Sequence, residues 1–131
     1  MKIGEIANKT NLPVQTIRFY ENEKLIKSIG RTEGNFRLYD SNVIEQLQFI
    51  KHSRNLDLSL NEIKHLIELR ENPSADCEEV SALIQDHINQ VDLKMNELSK
   101  LRNQLESLSK ACAAEKRIEN CGIIKKLQTT S

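Results

Sequence analysis

The apolar positions change their period several times along the chain. Ile3, Ile6 and Ala7 form a short helical stripe that stops at Lys9-Thr10-Asn11. Pro13 then stands where a first-turn proline is tolerated, because the N–H it lacks is one that a helix start leaves unpaired. From Pro13 to about Asn22 a second helix is predicted, burying Val14 and Ile17 while Gln15, Thr16, Arg18 and Phe19 lie on other faces. Two short helices across a tight turn predict a helix-turn-helix. Leu25-Ile26, then Arg31-Thr32-Glu33-Gly34-Asn35, then Phe36-Arg37-Leu38-Tyr39 read as two short strands around a Gly-Asn turn, forming a wing. Behind an Asp40-Ser41 start, Val43, Ile44, Leu47 and Ile50 keep helical spacing to about Arg54. Ser59-Leu60-Asn61-Glu62 has capping-box spacing and opens a fourth helix with Leu60, Ile63, Leu66 and Ile67 inward.

Beyond Arg70 the pattern lengthens. Glu71-Asn72-Pro73-Ser74-Ala75 reads as a linker, and Asp76-Cys77-Glu78-Glu79 as a second capping box that places Cys77 at the first helical position. The stripe then runs Val80, Ile84, Ile88, Val91, Met95, Leu98, Leu101, Leu105, Leu108 and Cys112. Its steps of three and four residues are those of a coiled-coil seam, with one double-three step at Leu98-Leu101 that implies local overwinding. Ala113 to Asn120 is a polar, charged loop, and after Cys121-Gly122 the residues Ile123, Ile124 and Leu127 suit a short closing helix. The predicted fold is mainly α. A winged helix-turn-helix domain spans 1–70, a linker 71–76, a dimerisation helix 77–112, and a loop with a short terminal helix 113–131.

Composition thins the expected core: of 131 residues 29% are charged and 4% aromatic, which favours oligomerisation. No stretch approaches the roughly 20 apolar residues of a membrane span, so the cytoplasm is the expected compartment and no membrane partner is expected. Formal net charge is zero, but residues 1–54 hold nine Lys/Arg against six Asp/Glu, and residues 71–131 hold eight against ten. That mild excess suits a localised nucleic-acid patch. On a recognition helix and a wing, Arg18, Arg31, Asn35 and Arg37 suit phosphate contact and Gln15 and Thr16 suit base edges. Tyr20 and Tyr39 read as either backbone contacts or core. Neither a nucleophile–base pairing nor a phosphate-cradling glycine loop is present to support an enzyme. The leucine stripe reads as dimer seam rather than small-molecule pocket.

Three cysteines, Cys77, Cys112 and Cys121, remain to be placed. In a reducing compartment an odd count argues against a disulfide framework and leaves metal ligation, redox sensing or buried filler. A continuous helix between Cys77 and Cys112, at about 1.5 Å per residue, holds its ends about 50 Å apart. If the thiols serve one purpose, a second copy must bring its Cys77 beside Cys112 and Cys121. That predicts an antiparallel dimer with two symmetric thiol sites. Thiolates are soft ligands suited to Pb(II), Cd(II) or Hg(II). A helix N-terminus favours the Cys77 thiolate, and Lys110, Lys116 and Arg117 lie near Cys112 in sequence. His52, His65 and His87 lack His-x-x-x-His spacing and read as surface or packing residues; His87 alone is placed for an auxiliary metal role.

The run KIGEIANKTNLPVQTIRFYENEKLI followed by GRTEGNFRLYD resembles the MerR family of bacterial transcription regulators, with IRFYE and NFRLY its specific segments. The tail, NPSADCEEVSALIQDHI with the spaced leucines, Cys112 and CGII, resembles the lead- and cadmium-responsive branch. Mercury sensors share a similar layout of three cysteines. Zinc sensors carry a second cysteine directly after the helix-end one, where this chain has Ala113, and copper sensors lack a counterpart of Cys77. The resemblance implies a homodimer on a pseudopalindromic promoter whose polymerase recognition elements are spaced too far apart. It implies silence without metal and, with Cd(II) or Pb(II) bound, bending and untwisting of the operator that realigns those elements for RNA polymerase. A mercury-type or zinc-responsive regulator and a thiol redox regulator are the neighbouring expectations.

Overall fold

In the computed structural model, residues 1–111 and 117–129 are described. Helix α1 spans Ile3–Thr10 and α2 Val14–Asn22; strands β1 and β2 are Gly30–Arg31 and Arg37–Leu38; α3 spans Asn42–Asn55, α4 Leu60–Arg70, α5 Cys77–Lys110 and α6 Gly122–Thr129. The chain divides into two compact units, Met1–Val80 and Ser81–Ser131, with the boundary inside α5. The predicted mainly α, winged helix-turn-helix class is the one observed.

In the first unit, left-handed residues other than glycine end α1, α2 and α3. Asn11 closes α1 at φ 56° and ψ 32°, and Pro13 caps α2 by accepting from Thr16 N–H at 3.0 Å and Ile17 N–H at 3.2 Å. Lys24, at φ 65°, ends α2 in a Schellman turn: its N–H donates to Glu21 O and that of Leu25 to Tyr20 O, each at 2.9 Å. The hydrophobic contact that such turns recruit explains why Leu25 and Tyr20 are both buried. Leu25 and Ile26 therefore belong to a helix end and the core, not to the first wing strand, which is confined to Gly30–Arg31. Asp57, also at φ 65°, ends α3 the same way, with Leu58 N–H on Ser53 O at 3.2 Å and the Leu58 side chain buried.

The wing pairs Gly30 with Leu38 and Arg31 with Arg37, antiparallel. Its turn closes through Asn35 N–H donating to Thr32 O at 2.9 Å, and the left-handed position falls on Asn35 at φ 65° rather than on Gly34. Residues 1 and 2 run along β2: Lys2 bridges to Leu38, Tyr39 N–H donates to Met1 O, and the Met1 ammonium donates to Tyr39 O, both at 2.7 Å. Under the wing, α1 packs on α2 and α3. Ile6, Ile17, Leu47, Ile50 and Ile63 are fully buried, each apolar side chain of this size contributing about 1.5–3 kcal/mol by leaving water.

The capping box on α4 forms as its spacing predicts: Glu62 N–H donates to Ser59 Oγ at 3.1 Å and Ser59 N–H to Glu62 Oε1 at 2.9 Å. The second box forms by half. Asp76 Oδ1 accepts from Glu78 N–H at 3.2 Å, while Glu79 turns its Oε2 to within 3.7 Å of His65 Nε2 on α4. Helix α5 is unbroken over 34 residues, with Cys77 its first. Its apolar stripe is uncovered in the single protomer, from Ile84 through Ile88, Val91, Met95, Leu98 and Leu101 to Leu105, whereas Leu83 and His87, one turn apart, are buried. Among the described residues no helix is long and apolar enough to cross a membrane.

Candidate DNA interface and metal centre

Helix α2 and the wing enclose a groove of about 400 Å³ whose walls carry Lys2, Arg18, Arg31, Asn35, Arg37 and Tyr39. Burial of Ile17 on the inner side of α2 turns Gln15 and Arg18 outward as exposed residues, with Thr16 half-buried between them. Across the wing turn, Arg31 Nη1 donates to Asn35 Oδ1 at 3.1 Å. The structure thus gathers Arg18, Arg31, Asn35, Arg37 and Tyr39 of the expected set at one groove, while Gln15, Thr16 and Tyr20 lie outside its lining. Tyr20 and Tyr39 take the core alternative, at 8% and 1% exposure.

Glu21 joins α2 to the wing. Arg37 Nη1 donates to its Oε2 and the Tyr39 hydroxyl to its Oε1. Burial first, then the hydrogen bond and charge of Glu21, push the Tyr39 phenol up to about 12, against a weaker opposing pull from Arg37. The hydroxyl therefore stays a donor across the neutral range. Lys2 and Glu21 were not among the sequence-derived candidates. Lys2 reaches the groove only because the N-terminal backbone bridges to Leu38, and its ammonium lies 5.2 Å from the Phe36 ring centre. Glu21 and Arg37 are 16 residues apart, a separation that no helix or strand period marks.

Cys77 is exposed at the start of α5 and Cys121 is buried just before α6, its carbonyl accepting from Lys125 N–H at 3.1 Å. Cys112 lies outside the described residues. What places Cys121 is Gly122: a Cβ built on it would stand 2.1 Å from the carbonyl oxygen of Ala111, a distance no side chain tolerates. The chain at Gly122 is therefore seated directly on the end of α5, at the residue before Cys112. Cys77 stands at the N-terminus of α5 and Cys121 directly before α6, and sulfur donors are soft ligands. That chemistry fits a soft cation. Among the described residues no three His, Cys, Asp or Glu side chains gather as a ligand set. His52 and His65 are exposed, and His87 is buried on the Leu83 face.

Residues 1–69 match the model of MerR HTH family regulatory proteins, and residues 44–108 match the model described as MerR, DNA binding. The chain belongs to the MerR family. As a MerR-family chain it is a DNA-binding transcription regulator. It is 42% identical, over 82% of its length and 80% of the relative's, to the HTH-type transcriptional regulator ZntR homolog of Haemophilus influenzae. To the mercuric resistance operon regulatory protein of Bacillus cereus it is 32% identical over 97% of this chain and 96% of that one. The crystal structure of the transcription regulator PbrR691 from Ralstonia metallidurans CH34 in complex with lead(II) matches at a TM-score of 0.87. Its sequence identity is 45%, covering 97% of this chain and 98% of that chain.

Proposed function

We propose that this chain is a cytoplasmic, metal-responsive regulator that binds promoter DNA as an antiparallel homodimer, silencing the promoter without metal and activating it for RNA polymerase when Cd(II) or Pb(II) is bound. The carrying observation is the seating of Gly122 on Ala111, which returns Cys121 to the end of α5 where Cys112 follows in sequence, while Cys77 stands at the far end of the same 34-residue helix. One ion held by all three sulfurs then takes Cys112 and Cys121 from one protomer and Cys77 from its partner. When bound, the metal would supply a cross-link between the two chains, and Cys77, Cys112 and Cys121 would supply its soft sulfur donors. The uncovered stripe from Ile84 to Leu105 supplies the dimer seam. On the DNA side Arg18, Arg31, Asn35 and Arg37 hold phosphates and Gln15 and Thr16 meet base edges, while Tyr20 and Tyr39 act from the core. The burial of His87 on the Leu83 face supports packing, and we assign it no metal.

The likeness over 97% of the chain to a lead(II)-bound regulator supports the choice of a large, soft ion. Mercury is the second reading, favoured by the mercuric-resistance relative. Mixing a Cys77→Ser chain with a Cys112→Ser/Cys121→Ser chain tests the trans site. The heterodimer is expected to show one thiolate–metal charge-transfer signal; its absence refutes a shared site. Titrating Cd(II), Pb(II), Hg(II) and Zn(II) against promoter activation decides the ion, a stronger response to Hg(II) selecting the second reading. Switching by peroxide without metal would instead mark a redox sensor.

A further inference from the structure

We infer that Glu21 is a positioning residue for DNA binding: its carboxylate fixes Arg37 of the wing in the orientation that grips a phosphate. This rests on the DNA-contact assignment of Arg37 proposed above. The observation that demands an account is a carboxylate directly behind the cationic groove, paired with one of its arginines. Lys2, Arg18, Arg31 and Arg37 face the groove, and Glu21 lies one turn along α2 from Arg18. By charge alone Glu21 opposes binding, since it partly cancels the cations and repels the backbone.

Its surroundings explain its presence. The Glu21 side chain is only 14% exposed and both of its oxygens are engaged by the wing, Oε2 by Arg37 and Oε1 by the Tyr39 hydroxyl. The wing needs such an anchor because its strands are two residues each, and a two-stranded hairpin of that length is not stable by its ladder alone. The Arg37 side chain remains 39% exposed, and a guanidinium carries five N–H donors, so engaging Glu21 leaves donors for a phosphate. A long side chain held in place before contact loses less rotamer freedom on binding. The attraction lost to the Glu21 charge is offset by that fixed geometry.

Charge and positioning predict opposite signs, which makes the test sharp. The probe is a labelled duplex of about 30 base pairs, long enough for two half-sites, selected by the wild-type full chain from a randomised pool. Affinity is measured across a salt series. For Glu21→Gln we expect binding about tenfold weaker, although a negative charge has been removed, and a salt slope lower by about one phosphate per protomer. Equal or tighter binding with an unchanged or steeper slope overturns the inference. Glu21→Asp keeps the charge but shortens its reach, and stays informative if the glutamine variant fails to fold. It too should bind more weakly, and wild-type affinity would count against positioning. In a double-mutant cycle Glu21→Gln/Arg37→Ala should bind no more weakly than Arg37→Ala alone, whereas additive losses would show that Glu21 does not act through Arg37. An Arg37→Ala slope equal to wild type removes the proposed Arg37 contact itself, and the inference with it.

Discussion

Gly122 is kept as glycine by contact rather than by backbone twist. Its Cβ would meet the Ala111 carbonyl oxygen at 2.1 Å, so Gly122→Ala has to lift the start of α6, and Cys121 with it, off the end of α5. Metal affinity, measured by competition with a chromophoric chelator, is expected to fall about tenfold or more, a loss typical of a disturbed supporting shell. Metal-free DNA affinity should be unchanged, because the DNA-binding residues lie in the other compact unit. Equal metal affinity in the variant would mean that the seat does not govern the thiol. Asn11, Lys24, Asn35 and Asp57 carry the opposite lesson: each takes a left-handed conformation with a side chain that does not announce it as glycine would. The cysteines could be picked out one by one from the sequence, but the burial of Cys121 and the exposure of Cys77 could not.

The elements whose ends carry their own chemistry were the ones legible in sequence. Ser59 and Glu62 form their reciprocal cap because both partners lie within four residues, where spacing alone decides. Ser59→Ala is expected to cost about 1 kcal/mol, read as a lower urea midpoint with unchanged slope. A slope change would show that the cap holds more than its own helix. At α5 the same pattern failed by half: Asp76 caps Glu78, but Glu79 is drawn to His65 on α4, a competitor that no local window contains. The wing failed similarly, since Leu25 and Ile26 have the composition of a strand yet are captured by the end of α2 and the core. Period and propensity say that a segment is apolar; what it packs against says which element it joins.

Taken whole, the chain buries a core under α1, α2, α3 and α4 and leaves its longest helix with an uncovered apolar face. Leu98 lies mid-stripe and is 64% exposed in one protomer. Under the proposed dimer, Leu98→Glu buries an unpaired carboxylate in the apolar seam and should yield monomers by sedimentation. DNA affinity should then drop by at least about a hundredfold, as the second half-site loses its linkage to the first. A dimeric variant with wild-type affinity would remove the stripe from the interface.

By itself the sequence determined the helices, their caps at α4, the existence of a wing, the single long α5 and the identity of the thiols. These follow from interactions within one turn or from periodicities of a few residues, which any single element satisfies alone. Tertiary structure decided that Glu21 joins Arg37 and Tyr39, that Lys2 reaches the groove, and that Gly122 seats Cys121 at the end of α5. Each of these pairs residues eleven or more positions apart, where loop closure and packing choose among many partners of equal chemistry, and only the folded chain makes that choice.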